Sequence, residues 1–504
     1  MAIEGIRLGP FIGGLNTASD PTSIGDTDVA VLENLELDLD GSLVSRPPIV
    51  SIPATMPAGT GTTITKLVGY YTTPTGGSYL VGHNGTSTYY FDGTSWSKIA
   101  DFPASDVTQY RDKLWLLAPY GHTESGGSWS PNDGFAAVSA MPKGSTIISH
   151  KERLWIGLGP TAPENGSRLY YSDVGDPTGW PGGGHFLNVN AGDGQNIVGI
   201  YLYYNDLLIF KTRSTYRFSY SSSPDTGVVS KVSETIGLAS TDSAVAHDNS
   251  MYIVFGDKVY ELVNYNFNQV NNKVPLVSDS YPTNMTYNVS ISAWNDRLIV
   301  NYFGTCYVYS LKTSTWCVWT TSFRIGHILP EPITYLSQRP KAYVASATAS
   351  NKMYDIQEDI VPSRSEDILC TVVTKNYDYQ SAHTFKRLSW WGIDVSAKSI
   401  VRTEVMPIVH APEVTWEQIG NRAWTTLGTW QRPLDISIEI TDQVESETST
   451  GYRKFIKLLK SLRFRQVNFK ISFEINGTPE TSPAKLFSIT TFVGVKERVS
   501  QKVS

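Results

Sequence analysis

Polar turns followed by apolar runs recur through the middle of this 504-residue chain. Tyr110-Arg111-Asp112-Lys113-Leu114-Trp115 returns as His150-Lys151-Glu152-Arg153-Leu154-Trp155. Looser copies stand at Tyr204-Asn205-Asp206-Leu207-Leu208-Ile209, His247-Asp248-Asn249-Ser250-Met251-Tyr252 and Trp294-Asn295-Asp296-Arg297-Leu298-Ile299. Each places Asn, Asp or Glu just before a run with β-branched or aromatic members, the pattern of a tight turn feeding a buried strand. The matching positions Leu114, Leu154, Leu208, Met251 and Leu298 are 40, 54, 43 and 47 residues apart. Steps of this size fit one four-stranded propeller blade each. Leu80 before them and Ala342 after them bring the anchors to seven. Matching later strands are expected at Leu169-Tyr170-Tyr171, Thr215 to Phe218, Val259 to Leu262 and Cys306 to Tyr309.

The pattern divides the chain into a lead-in (1–60), a β-propeller of six or seven blades (61–364) and a C-terminal β-domain (365–504). Gly121 to Ser145 reads as an irregular insertion. In the lead-in, Leu35, Leu37 and Leu39 alternate with acids, and Asp40-Gly41 supplies a hairpin turn. Glu36, Asp38, Asp40 and Gly41 mimic the start of a calcium loop, but Pro47 stands where its last acidic ligand belongs, so a plain hairpin is expected. In the tail, strands are expected at Thr371 to Thr374, Phe385 to Val395, Ile436 to Ile440, Phe469 to Ile475 and Leu486 to Val495. Tyr452 to Arg463 carries Phe455, Ile456, Leu459 and Leu462 at helical spacing, which predicts one helix. The fold class is therefore all-β, a propeller followed by a β-sandwich-like domain carrying one helix.

Composition agrees: aromatic residues are 12% and charged residues only 17%, with 41 Gly and 27 Pro. A net charge of −6 argues against a surface made mainly to grip nucleic acid. The N-terminus has neither a basic region nor an apolar core, so no secretory signal is expected. No run approaches the roughly 20 apolar residues that cross a bilayer. Cys306 and Cys317 flank Leu311-Lys312 symmetrically and could face each other across a hairpin. With no sign of an oxidising compartment, free buried thiols are expected.

Candidate chemistry is sparse. The nucleophile-elbow, phosphate-loop and zinc-helix motifs are missing, and the eight histidines are scattered. His150 and His247 stand where Tyr and Trp occupy the other copies, which favours packing over metal ligation. Ser172-Asp173-Val174-Gly175 up to Trp180 approximates the Asp-box of sialidase propellers, with Asp one place early and Trp late. A glycosidase would need two carboxylates about 5–10 Å apart. Trp390-Trp391 and Trp416, Trp424 and Trp430 could stack on sugars, with ordinary sheet packing as the plainer reading. Neither catalytic residues, a cofactor nor a metal is expected, and the chain reads as a non-enzyme.

Several phrases belong together. These are Phe11-Ile12-Gly13-Gly14-Leu15-Asn16, the run Asn34 to Leu43 with Arg46-Pro47, and Tyr170-Tyr171-Ser172-Asp173 with Gly175-Asp176-Pro177 and Trp180. Asp193-Gly194 with Ile197 to Ile200, Leu208-Ile209-Phe210-Lys211, Ser214-Thr215-Tyr216, Phe385 to Leu388 and Arg463 to Gln466 continue the series. Spanning nearly the whole chain, they resemble tailed-bacteriophage virion proteins: nozzle or tail-accessory proteins of short-tailed phages and propeller-bearing minor tail proteins of long-tailed ones. The resemblance implies a homo-oligomeric ring near the distal tail, made in the host bacterial cytoplasm. Its partners would be other tail proteins and a host surface glycan or receptor, with DNA passing nearby without sequence-specific binding.

Overall fold

The computed structural model describes residues 3–57, 66–158, 166–180, 185–277, 289–332, 341–346, 352–357, 368–379, 386–396, 398–408, 438–445, 452–464, 466–475 and 485–495. Two compact units emerge, and neither is continuous in sequence. One gathers Met1–Pro48, Val308–Thr320 and Ile360–Ser504; the other gathers Ile49–Tyr307 and Thr321–Asp359.

The second unit is a β-propeller. Antiparallel four-stranded sheets follow one another from Lys66–Thr72 to Trp96–Ala100, Asp106–Tyr110 to Gly134–Ala137, Thr146–His150 to Phe186–Asn188, Ile197–Tyr203 to Val228–Ser233, and Ala244–His247 to Asn266–Gln269. The hairpin Ser290–Trp294 with Arg297–Tyr302 follows. In the last sheet Ile325–Pro330, Lys341–Ser346 and Met353–Gln357 are joined by Ile49–Ile52 from the far end of the chain. The first strands of successive sheets lie side by side, and Ile325–Pro330 returns to Lys66–Thr72. Apolar clusters fill the gaps between sheets. Trp155, Leu169 and Tyr171 of one sheet meet Leu207, Tyr216 and Phe218 of the next, and Tyr343 and Met353 meet Leu67 and Phe91 where the ring closes.

All seven anchor residues fall on second strands and are buried, and the expected later strands are all third strands. The recurring phrase is the two-residue hairpin between first and second strands. Its turns hold Arg111 (φ 54°), Lys151 (46°), Glu152 (57°), Tyr204 (52°), Asp248 (51°), Asn295 (44°) and Asp296 (59°) in the left-handed region, as turns matched to strand twist require. One copy is offset by a residue: Tyr203 pairs with Asp206, so Leu207 rather than Leu208 is the counterpart of Leu114. Tyrosines at the last or next-to-last position of the first strand lock one blade to the next. Tyr71 donates to Asp112 O (2.8 Å), Tyr110 to Glu152 Oε2 (2.7 Å), and Tyr203 lies 3.4 Å from Asn249 O. His150 holds the same position and faces the backbone of Asn205, which explains why aromatics replace it elsewhere.

Gly121 to Ser145 is not an insertion. Gly127–Ser130 and Gly134–Ala137 are the outer strands of the second sheet. Small residues concealed them: a Cβ on Gly127 would meet Ala136 O at 2.1 Å, so the close approach excludes the side chains that announce a strand.

The first unit is a two-sheet β-domain. One sheet orders Tyr452–Phe464, Lys386–Ser396, Lys485–Val495, Leu43–Ser45 and Leu35–Leu37, with Ile3–Leu8 also pairing Lys485–Val495. The other runs Thr315–Trp319, Asp28–Glu33, Ile368–Thr374, Gln466–Ile475, Lys398–Ile408, Ile438–Glu445. Trp391 packs on Phe469 across the domain (6.0 Å between rings). The predicted helix is a strand, Tyr452–Phe464, paired along Lys386–Ser396; among the described residues the only helical element is the 3₁₀ turn Pro224–Thr226. A short apolar run does not separate helix from strand by period alone, and a long neighbouring strand decides it. Asn34 (φ 57°) binds the unit's three segments: it donates to Thr320 Oγ1 (2.6 Å) and Leu369 O (2.8 Å), and accepts from Arg46 Nε (2.9 Å) and Thr320 N (2.8 Å). Cys306, Cys317 and Cys370 are buried, and none of them is in a disulfide.

Candidate functional site

The aromatic residues Trp416, Trp424 and Trp430 lie outside the described residues. Trp391, offered with them for sugar stacking, is fully buried. The calcium-like hairpin is a hairpin: Asp38 N bonds Ser42 O (2.8 Å), and Lys485 reaches Asp38 (2.8 Å) and Asp40 (3.3 Å). The Asp-box-like segment is a turn, closed by Asp173 N to Gly179 O (2.9 Å), with Trp180 buried.

What the fold assembles instead is a polar cluster at the propeller axis. The starts of the inner strands converge there, because ring closure brings together residues far apart in sequence. Lys66, opening the first sheet, forms an ion pair with Asp242 (2.9 Å) and donates to Ser105 O (3.3 Å). The two side chains are only 17% and 19% exposed. Asp106 accepts from Ile147 N (2.9 Å) and Val107 N (2.8 Å). Tyr201 donates to Thr241 O, Asp242 O accepts from Ile291 N (2.9 Å), and Ser105 donates to Gly144 O (2.7 Å). His83 and His327 complete the field around Lys66 and Asp242. Every inner strand, or the segment just before it, contributes a member.

Burial and charge oppose each other in this cluster. Burial pushes the Asp106 carboxyl up to about 6, against the pull of Lys66 and two backbone N–H groups. Burial works on Asp242 too, but Lys66 and His327 outweigh it and hold that carboxyl below its ordinary range. Burial works to discharge Lys66, and Asp242 with Asp106 keeps it charged. His83 is driven down to about 3 by burial and the Lys66 cation, and His327 is lowered for the same two reasons. Burial raises Tyr201 well above its ordinary value. At neutral pH the cluster therefore holds one ammonium, two carboxylates and two uncharged imidazoles.

Two carboxyls with opposed shifts are the electrostatic signature of an acid–base pair. Here their oxygens are engaged: those of Asp106 accept backbone N–H groups, and Asp242 holds Lys66. The arrangement clamps the inner strands together across the axis. Among the described residues no group of three or more His, Cys, Asp or Glu could hold a metal ion. Sequence reading missed Lys66, Asp106, Tyr201, Asp242 and His327 as a group. The one available signal was their placement on or just before inner strands, which becomes visible only once the blades are registered.

No protein-family model matches the chain, and no curated protein sequence matches it. Solved structures similar to it include the extracellular domain of a one-component system from B. thetaiotaomicron (10% identity, TM-score 0.45), with 92% of this chain aligned to 62% of that one. The Pan2 WD40 domain of Neurospora crassa (9%, TM-score 0.38) aligns over 62% of this chain and 90% of its own. Virginiamycin B lyase from Staphylococcus aureus (11%, TM-score 0.38) aligns over 62% and 99%. The chain thus spans about three-fifths of the length of the first. All three are too distant to bear on what this chain does.

Proposed function

We propose that this chain is a structural component of a bacteriophage tail, a distal tail, nozzle or minor tail protein that joins neighbouring tail proteins. The observation that carries the reading is the propeller axis. It is spanned by the Lys66–Asp242 ion pair and the hydrogen bonds around it, so the ring is braced at its centre. The phage-like phrases fit the same purpose. Asn34 and Arg46 are hydrogen-bonding hubs, and Lys211 is fully buried on Asp193 (2.9 Å), Ser167 and Asn190. These are framework roles. The net charge of −6 suits a part that DNA passes without adhering. With side chains bridging the axis, the DNA path runs along a ring of copies rather than through one propeller. The reading also holds the chain to be no enzyme.

The test is an amber mutation in the coding sequence of the phage concerned. Under non-suppressing conditions, particles with incomplete tails are expected. Intact, infectious particles lacking the chain would remove the proposal.

A further inference from the structure

We infer that the propeller carries a carbohydrate-binding site at the hairpin end of two adjacent blades, centred on Tyr204 and Tyr265, and that its ligand is a pyranose ring. The turn at Tyr204-Asn205 belongs to one blade and the turn at Asn264-Tyr265 to the next. Tyr204 (φ 52°), Asn264 (φ 50°) and Tyr265 (φ 63°) all lie in the left-handed region. Asn tolerates that conformation, whereas an aromatic residue is strained in it. The corresponding turns of other blades use Arg111, Lys151-Glu152, Asp248 and Asn295-Asp296, so turn chemistry does not call for tyrosine. Strain retained at an exposed position points to a use for the side chain itself.

Tyr204 meets Tyr265 edge-on (6.3 Å, 61°) and its hydroxyl donates to Asn264 Oδ1 (3.3 Å), which leaves the outer face of Tyr204 open. Tyr203 is buried, its ring 4.4 Å from Tyr204 and 5.4 Å edge-on to Tyr265. Arg217 covers Tyr265 at 4.6 Å and bonds Asp206 (2.6 Å), which also accepts from the Tyr265 hydroxyl (2.7 Å). The protein's own guanidinium therefore occupies the place a cationic ligand would take. Tyr204 remains 54% exposed. Exposed Asn264 and Asn266 and the partly exposed Arg217 supply donors and acceptors around the rings.

The open ring face of Tyr204, rimmed by the Asn264 and Asn266 amides and the Arg217 guanidinium, matches a sugar ring, which has apolar C–H faces and a polar edge. It matches a protein partner poorly. A stable protein interface buries about 800 Å² per side around a core depleted of charge, and the neighbouring hairpins carry Arg111, Lys151, Glu152 and Asp248.

The experiment is saturation-transfer NMR on the purified full chain, with glucose, galactose, N-acetylglucosamine and rhamnose as probes. Transfer to ring protons of at least one sugar is expected. Tyr204→Asn keeps a residue suited to the turn, so it should melt at the same or a higher temperature and weaken binding about tenfold or more. Tyr204→Gly serves as a second ring-less variant, and Tyr204→Phe should retain binding. Absence of transfer from all four sugars to the wild-type chain overturns the inference. So does binding that Tyr204→Asn and Tyr204→Gly leave unchanged. Self-association abolished by Tyr204→Asn, with no sugar bound, would make the cluster an interface between copies instead.

Discussion

Replacing Lys66 by Met removes the one ammonium that faces both Asp106 and Asp242, while keeping an apolar stem of similar length. Removing one partner of a buried pair costs about 3–5 kcal/mol, because the other charge is left without compensation. Lys66 and Asp242 retain 17% and 19% exposure, which points to the lower end, about 3 kcal/mol. The propeller unit, Ile49–Tyr307 with Thr321–Asp359, has roughly 300 residues. At about 2.1 cal/mol/K per residue its unfolding entropy is about 0.6 kcal/mol/K, so its melting temperature should fall by about 5 °C at pH 7. The pH dependence is the sharper part. Without Lys66 the Asp242 carboxyl loses the cation holding it below its ordinary range, and Asp106 rises further. A carboxyl with a raised folded pKa contributes stability fully below its unfolded value near 3.8 and loses it as pH rises through the folded value. The deficit should therefore be largest at pH 7–8 and shrink towards pH 4. His83, His327 and Tyr201 also face the cluster, but they are present in both proteins, so to first order their own titration drops out of the difference. Scanning calorimetry of both proteins across pH measures this. A fall of under about 1 °C at pH 7, or an equal fall at pH 4 and pH 7, would refute the reasoning.

Three further outcomes are expected. Asp106→Asn should flatten the pH dependence between about 4 and 6, since the wild-type carboxyl, at about 6, loses roughly 2 kcal/mol across that interval; pH-dependent calorimetry reads it. Tyr71→Phe and Tyr110→Phe remove blade-to-blade hydrogen bonds, costing about 0.5–1.5 kcal/mol each, with additive effects in a double mutant if the junctions are independent. Asn34→Ala strips four side-chain hydrogen bonds from the β-domain, and should lower the β-domain's stability by about 2 kcal/mol or more; hydrogen exchange should show the loss at Ile368–Thr374 before any at Ile197–Tyr203.

Local chemistry was legible in the sequence. Turn residues before apolar runs located the second strands of the propeller, because those turns need left-handed residues and those strands are buried. What failed were features without a local mark. Gly127, Ser128, Gly134 and Ala136 have small side chains where the two strands approach closely, so the segment looks irregular. At Tyr203-Tyr204-Asn205 two tyrosines compete for the place before the turn, which shifted the register by one. Tyr452–Phe464 reads equally as helix or strand until Lys386–Ser396 is set beside it. The closure of the last blade by Ile49–Ile52 and the pairing of Ile3–Leu8 with Lys485–Val495 join opposite ends of the chain. The axial cluster has the same origin, since Lys66 and His327 become neighbours only when the ring is complete.

The most direct test of the proposed structural role is electron cryo-microscopy of the phage particle proposed to contain this chain. The account predicts several symmetry-related copies in the distal tail, each a propeller whose axis is closed by side chains, with DNA outside that axis. A complete tail with no density for the chain, or DNA threaded through a single propeller, would contradict it.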